Sequence, residues 1–250
     1  MDYDEQTVFE QESGPQGEKQ MSGLAIITAR GGSKRIPRKN IKPFLGRPII
    51  EYSIEAALRC GCFDEVMVST DDEEIAEIAR KAGASVPFMR REKTANDFAT
   101  TADVLLEVLE EYEKRGKTFD YMACLYPTNP FITPEKLKDA MDIIQTENCD
   151  EVIPVVPFSY PPQRGFITNA DGELQYKWEQ FRNARSQDLE KMYHDAGQFY
   201  FFNVASFTKN KGKAEHLRPI VFPEDEVQDI DTEEDWRMAE LKVRMMREIQ

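Results

Sequence analysis

Histidine is scarce in this chain: 250 residues contain two, His194 and His216. A histidine-built metal centre or a Ser-His-Asp triad is therefore poorly supplied. Cysteine is little better represented. Of the four, Cys60 and Cys62 form C-x-C, while Cys124 and Cys149 stand alone. No zinc spacing results, and reduced, idle thiols are the simplest reading. No apolar run approaches the ~20 residues that cross a bilayer, and the N-terminus has no apolar signal core. These absences predict a cytoplasmic protein with no membrane partner. Basic charge is also short, with 32 Lys and Arg against 46 Asp and Glu, a net −14. A second basic stretch is missing as well, which argues against nucleic acid as a partner.

Against that acidic background one stretch stands out, Thr28 to Phe44, TARGGSKRIPRKNIKPF. Arg30, Lys34, Arg35, Arg38 and Lys39 put five cations within ten residues. Gly31 and Gly32 allow a close backbone approach to a ligand, and turn amides cradle phosphate oxygens. Pro37, Pro43 and Pro48 specify a shaped loop, because each fixes φ. No G-x-x-x-x-G-K-[ST] fits, so this is not a P-loop. A nucleotide triphosphate site is the favoured reading, with a nucleic-acid patch or a solvated basic loop as the alternatives.

The rest of the chain reads as alternating strands and helices, the pattern of an α/β fold. Residues 1–22 are acidic and without apolar period, and are expected to be a disordered tail, with Met21 a candidate original start. Strands are expected at Leu24–Thr28, Glu65–Ser69, Ala84–Phe88, Tyr121–Tyr126 and Glu151–Val156. Helices are expected at Pro48–Cys60, at Glu73–Ala82 capped by Asp71 and Asp72, at Ala102–Arg115 and from Pro134 to about residue 147. Pro157, Pro161 and Pro162 then break the rhythm. Asn169–Gly172 signals a hairpin, so 158–195 is expected to form an arm within a domain spanning 23–250. An aromatic strand over Gly197–Asn203 follows. Leu217–Phe222 and Val227–Ile230 are expected to return to the sheet, and Thr232 to cap a closing helix. In such sheets ligands lie beyond the carboxyl ends of the strands, where Arg30, Arg90, Thr128 and Asn129 all fall.

Ala29 to Asn40, A-R-G-G-S-K-R-I-P-R-K-N, resembles the first motif of the cytidylyltransferases that activate nine-carbon and related 2-keto sugar acids, the CMP-sialic acid synthetase family. With K-R-I-P-R-K-N-I-K-P-F and with D-A-G-Q-F-Y at Asp195–Tyr200, the wording is that of the pseudaminic-type branch. The resemblance covers about Leu24 to Leu241. It implies a Rossmann-like nucleotide-diphospho-sugar transferase fold, a mostly parallel mixed sheet flanked by helices, with an arm that packs on a second subunit. It implies CTP and a sugar acid as substrates, CMP transfer and pyrophosphate release. By the same resemblance, Ala29, Arg30, Gly31, Ser33, Lys34, Lys39 and Asn40 hold the nucleotide and its triphosphate, Arg30 and Lys39 being catalytic. Arg90 to Asp97 resembles R-P-x-x-L-A-x-D, with Arg91 for the proline and Thr94 for the leucine, and places Arg90 and Asp97 at the cytidine. Leu125 to Phe131 resembles L-Q-P-T-S-P-L, giving Thr128 to the nucleotide and Tyr126 and Asn129 to the sugar, with Tyr126 in place of a glutamine. His194 and Gln198 complete the expected sugar site.

Asp229 and Asp231 are the last candidates. On a strand, i and i+2 face one way with roots about 7 Å apart, and two carboxylates so placed can share one Mg²⁺ or Mn²⁺. Ile230 would face the core. By resemblance this D-x-D-T matches the metal-binding acidic pair, so both aspartates are expected to be catalytic metal ligands. The aromatic segment Trp178, Phe181 and Phe199–Phe202 carries more apolar surface than a small arm can bury, which predicts a homodimer. Other readings stay open: a different sugar acid (neuraminic, legionaminic or deoxyoctulosonic), or a non-catalytic nucleotide- or sugar-binding relative.

Overall fold

A computed structural model describes residues 21–249, so most of the expected tail lies outside the described residues. Within them, Ser22 is already anchored, its amide donating to Asp120 Oδ2 at 2.9 Å. The strands are β1 (Gly23–Thr28), β2 (Pro43–Phe44), β3 (Arg47–Pro48), β4 (Glu65–Ser69), β5 (Tyr121–Leu125), β6 (Glu151–Pro157), β7 (Phe166–Thr168), β8 (Leu174–Tyr176), β9 (Tyr193–Asp195), β10 (Phe199–Asn203) and β11 (Leu217–Val221). The helices are α1 (Ile50–Cys60), α2 (Glu73–Lys81), α3 (Glu92–Ala95), α4 (Thr101–Glu113), α5 (Pro134–Thr146), α6 (Val204–Lys209) and α7 (Glu233–Ile249).

Seven strands form the main sheet in the order β11-β6-β10-β5-β1-β4, with β9 added against the far half of β6. β1 runs parallel to β4 and β5, and β11 parallel to β6. β10 and β9 are antiparallel to their neighbours. The sheet is thus mixed and mostly parallel, as expected. Central strands such as Leu24–Ile27 and Met122–Leu125 are wholly buried because helices cover both faces. On one face Ile54, Ala57, Leu137 and Ala140 of α1 and α5 pack on the sheet. On the other, Leu105, Val108 and Tyr112 of α4 meet Met67, Met122 and Phe202.

A third, smaller core does the positioning. Ile36, Phe44, Ile49, Phe131, Ile230 and Trp236 pack together at the carboxyl end of the sheet. They come from the basic loop, the start of α1, the loop after β5, the segment before α7 and the first turn of α7, so one apolar cluster ties three loops to two helices. No helix among the described residues is long and apolar enough to cross a membrane.

Several sequence expectations need correcting. Helix α1 begins two residues later than expected because Arg47–Pro48 pairs with Pro43–Phe44 in a small ribbon, turned by Leu45 (φ 47) and Gly46 (φ 95). Ala84–Phe88 contributes a single bridge, Ser85 to Met67, and no strand. Val227–Ile230 does not rejoin the sheet. It is loop, so the two aspartates do not sit on a strand, although Ile230 is buried at 1% exposure as its alternation requires. Phe199, Phe201 and Phe202 were expected to offer interface surface, but they are buried in this chain's own sheet. The hairpin at Asn169–Gly172 forms as expected, and β7 and β8 pair with each other alone among the described residues.

Candidate active site

The basic loop leaves β1 at the carboxyl edge of the sheet. Ala29 is buried and continues the strand's pairing by donating its amide to Ser69 O at 3.0 Å. Gly31 donates to Asp71 Oδ1 at 2.9 Å. A Cβ on Gly31 would stand 2.7 Å from Asp72 Oδ2, so the absent side chain makes room for Asp72 rather than for a ligand. Asp72 caps α2 through Ile75 N and also holds Arg38, which adopts a left-handed φ of 54. Of the five loop cations, Arg38 is therefore committed to the start of α2, to Asp72 and Glu74. Asn40 is buried and donates from Nδ2 to Arg30 O at 2.8 Å, closing the loop on itself.

The other cations face a cleft of about 520 Å³, lined from the basic loop by Arg30, Ser33, Lys34, Arg35, Lys39 and Asn40. Arg90 and Asp97 line it from the segment around α3, and Tyr126, Pro127 and Thr128 from the loop after β5. Each of these cations already meets an acid or a carbonyl. Arg30 and Lys34 both bind Asp97 at 2.5 Å. Arg35 pairs with Asp231. Lys39 donates to Ile230 O at 2.6 Å and stands 3.6 Å from Asp231 Oδ1. Lys34, then Arg30, holds the Asp97 carboxyl below its usual range.

Arg90 is buried at the far wall, donating to Ser69 Oγ at 3.1 Å and Ser69 O at 2.6 Å. Burial lowers its pKa from the ordinary guanidinium value. Arg91 instead points along α4 to Glu110 and Glu111, so the cleft uses the first arginine of the pair. Tyr126 is fixed by its backbone: Ser53 Oγ of α1 donates to its carbonyl at 2.8 Å, and its amide donates to Gln198 O at 3.1 Å.

Asp229 lies beside the cleft. Desolvation, then the neighbouring Asp231, raises its carboxyl pKa, and no hydrogen bond to that carboxylate occurs among the described residues. Two adjacent acids, one without a donor, form an oxygen set suited to a hard divalent cation. No group of three or more metal-ligating side chains occurs among the described residues, so substrate oxygens or water would complete such a shell.

Besides the buried Ala29 and the aspartate pair beside the cleft, four more expected residues lie off the cleft surface. Gly31 is spent on Asp71 and Asp72. Asn129 is turned in, accepting from Phe131 N at 3.2 Å, with Nδ2 unpartnered. Gln198 is buried and donates to Glu226 O at 2.8 Å. His194 is exposed on β9 against the Phe158 ring, 5.1 Å between centroids. Sequence reasoning missed Thr94, Asn96, Thr100 and Thr101, which line the cleft from α3 and the start of α4. A signal existed, since Thr100 with Asp103 is a capping box and helix N-termini at the carboxyl edge face the ligand side.

A phosphate-sized cation cluster, a buried arginine and an acidic pair at the carboxyl edge of a mixed sheet define a nucleotidyltransferase-type α/β protein. Comparison with known proteins makes this particular. Residues 24–248 match the cytidylyltransferase family profile, described as Cytidylyltransferase. The chain is 41% identical over 229 residues to the pseudaminic acid cytidylyltransferase of Campylobacter jejuni, covering 91% of this chain and 99% of that one. It is 34% identical to the CMP-N,N'-diacetyllegionaminic acid synthase of Legionella pneumophila, covering 90% and 97%. In fold it is similar to a CMP:2-keto-3-deoxy-manno-octonic acid synthetase solved with CTP, at a TM-score of 0.64, 19% identity and coverage of 91% and 99%. This chain belongs to the cytidylyltransferase family and is a nucleotidyltransferase.

Proposed function

We propose that the protein joins CTP to a nonulosonic acid, pseudaminic acid foremost, forming the CMP-sugar and releasing pyrophosphate. The anomeric oxygen attacks the α-phosphorus in line, the bond from that phosphorus to the bridging oxygen breaks, and the hydroxyl proton passes to solvent. The observation that carries this reading is the junction at Lys39: one ammonium group joins the triphosphate loop to the aspartate pair while lining the same cleft as Arg30 and Arg90. A triphosphate brings about four negative charges, and fixed cations stabilise those that build up on the leaving pyrophosphate. Relatives named for pseudaminic acid at 41% identity support that sugar over others.

In this reading Arg30, Ser33, Lys34, Lys39 and Asn40, with Ala29 and Gly31 shaping the loop, hold the nucleotide. Arg90, Asp97 and Thr128 flank the cytidine side and Tyr126 the sugar side, where the buried Gln198 acts through its carbonyl on the Tyr126 amide; Asn129 and His194, off the cleft, are left out of direct contact. Asp229 and Asp231 would hold Mg²⁺ or Mn²⁺. Bound there, the ion would supply further charge neutralisation on the phosphates. Residues 158–195 serve as a dimerisation arm in a homodimer, since Phe166, Ile167 and Leu174 on its hairpin are exposed. The free thiols and the need for CTP suit the cytoplasm. The test is pyrophosphate release from each of the four nucleoside triphosphates against a panel of pseudaminic, legionaminic, neuraminic and deoxyoctulosonic acids. CTP with pseudaminic acid should give the highest kcat/KM. Equal turnover with another triphosphate, or none with any acid, overturns the proposal.

A further inference from the structure

Lys136 lies in the first turn of α5 and is 7% exposed, so a full positive charge is buried outside the cation cluster of the cleft. Its ammonium donates to Phe131 O at 3.1 Å and stands 2.8 Å from Glu226 Oε2. It also sits 4.5 Å from the centroid of the Phe222 ring. Burying a lysine costs free energy that only good partners offset, and none of these partners lines the cleft. Glu226 is held a second time. Its carbonyl accepts from Gln198 Nε2 at 2.8 Å, and Gln198 O accepts from Tyr126 N at 3.1 Å. Lys136 and Gln198 thus tie one residue, Glu226, to both ends of the loop after β5, at Phe131 and at Tyr126. That loop places Tyr126, Pro127 and Thr128 on the cleft wall. Glu226 in turn stands three residues ahead of Asp229. Between them Val227 is buried, and its carbonyl accepts from Lys242 Nζ of α7 at 2.7 Å.

We propose that Lys136 is a positioning residue: its ammonium, bridging Phe131 O and Glu226, sets where the segment carrying Asp229 and Asp231 stands relative to the cleft wall. That segment is loop, with no ladder of hydrogen bonds to hold it. Each lysine that grips it removes freedom from a backbone that must present two like charges close together. The two carboxylates repel, and an unanchored loop would relieve the repulsion by letting them part. Lys39 resists this at Ile230, between the two acids. Lys136 resists it from the N-terminal side and refers the acids to the wall at Tyr126–Thr128. What the acids do there rests on the metal reading above; where they stand rests on these hydrogen bonds.

The experiment compares Lys136→Met, Glu226→Gln and the double variant in the purified full-length protein. One measurement is amide hydrogen exchange over 224–231 in metal-free protein, which needs no substrate. Each single variant should speed exchange there about ten-fold while β1 and β5 exchange at the wild-type rate. The other is the Mg²⁺ concentration that gives half-maximal pyrophosphate release from CTP and pseudaminic acid. It should rise about ten-fold in each variant, the scale for losing a group that orients a metal ligand. The double variant should be no worse than the poorer single, because both residues act through one bridge. Faster exchange spread equally over β1 and β5 would make Lys136 a general stability residue and overturn the proposal. Unchanged exchange over 224–231, an unchanged Mg²⁺ requirement, or effects that multiply toward a hundred-fold in the double variant would overturn it too. If Lys136→Met fails to fold, Glu226→Gln alone carries both measurements. Should the wild type be inactive on every acid, or fully active in excess chelator, the functional or metal reading falls, and the exchange result by itself decides whether Lys136 positions the segment.

Discussion

Ile36 sits in the middle of the most basic loop of the chain and is 1% exposed. It touches no phosphate in any reading, yet it packs with Phe131 of the loop after β5 and Ile230 between the two aspartates. Replacing it by alanine removes three buried carbons. At about 0.8 kcal/mol per buried CH₂ the transfer loss is roughly 2.4 kcal/mol. Incomplete collapse of the cavity adds to this, and buried Ile→Ala changes cost about 2–5 kcal/mol in all. The lower half of that range is expected here, since this core is the smallest of the three and lies near the surface. For a domain of this size ~1 kcal/mol corresponds to about 2–4 °C, so Tm should fall by about 5–12 °C.

The functional effect should exceed the loss of folded protein. Lys39 Nζ is held by the carbonyl of Ile230, so a shift of Ile230 moves a cation and both flanking acids together. A displacement of about 1 Å at a transferring phosphate can cost on the order of 100-fold in rate. Ile36→Ala should therefore lower kcat/KM for CTP at least ten-fold at a temperature where circular dichroism shows it fully folded. Ile36→Val, expected to cost about 0.5–1.5 kcal/mol, should keep most of the activity. Wild-type Tm and wild-type kcat/KM in the alanine variant would refute the idea that this cluster sets the loop.

Arg30→Ala and Lys39→Ala should each cut pyrophosphate release strongly with the fold intact; near-normal release in both would remove the triphosphate from this loop. Asp229→Asn and Asp231→Asn should abolish turnover with little change in Tm, and full activity in excess chelator would argue against a metal at that pair. Burial, with Asp195 nearby, lifts the Glu151 carboxyl to about 7. Its folded pKa lies above its unfolded one, so its contribution to stability is present below about pH 4.3 and lost as pH rises through 7. Glu151→Gln should flatten the fall in Tm over that window, and an unchanged slope would exclude Glu151 as its source. Sedimentation at micromolar concentration should show a dimer, and replacing Phe166 and Leu174 by serine should yield monomer; a monomeric wild type sinks the arm assignment.

What the sequence made legible follows from where information is local. Strand-helix alternation, Asp72 and Thr232 as caps and the Asn169–Gly172 turn are written in neighbouring residues, and the structure has all of them. The basic loop was legible as a site because five cations in an acidic chain require a reason. What those cations touch was not, since Asp97 and Asp231 lie 67 and 196 residues away from their partners. The loop backbone of Asp229–Asp231 reads as a sheet strand from the sequence because alternation of buried and exposed residues marks a strand whether or not a neighbour supplies hydrogen bonds. Ile230 is inward because a loop packs it against Ile36, not because a ladder does. The aromatic run Phe199–Phe202 misled in the opposite sense. Its apolar surface called for a partner, and the partners are β5 and β6 of the same chain, about 75 and 50 residues back, which composition alone cannot show. In both cases side-chain pattern recorded burial correctly and left open what does the burying. That gap closes only with long-range pairing, and for the acidic pair it places two carboxylates on a loop stapled to the basic loop rather than on the rigid edge of the sheet.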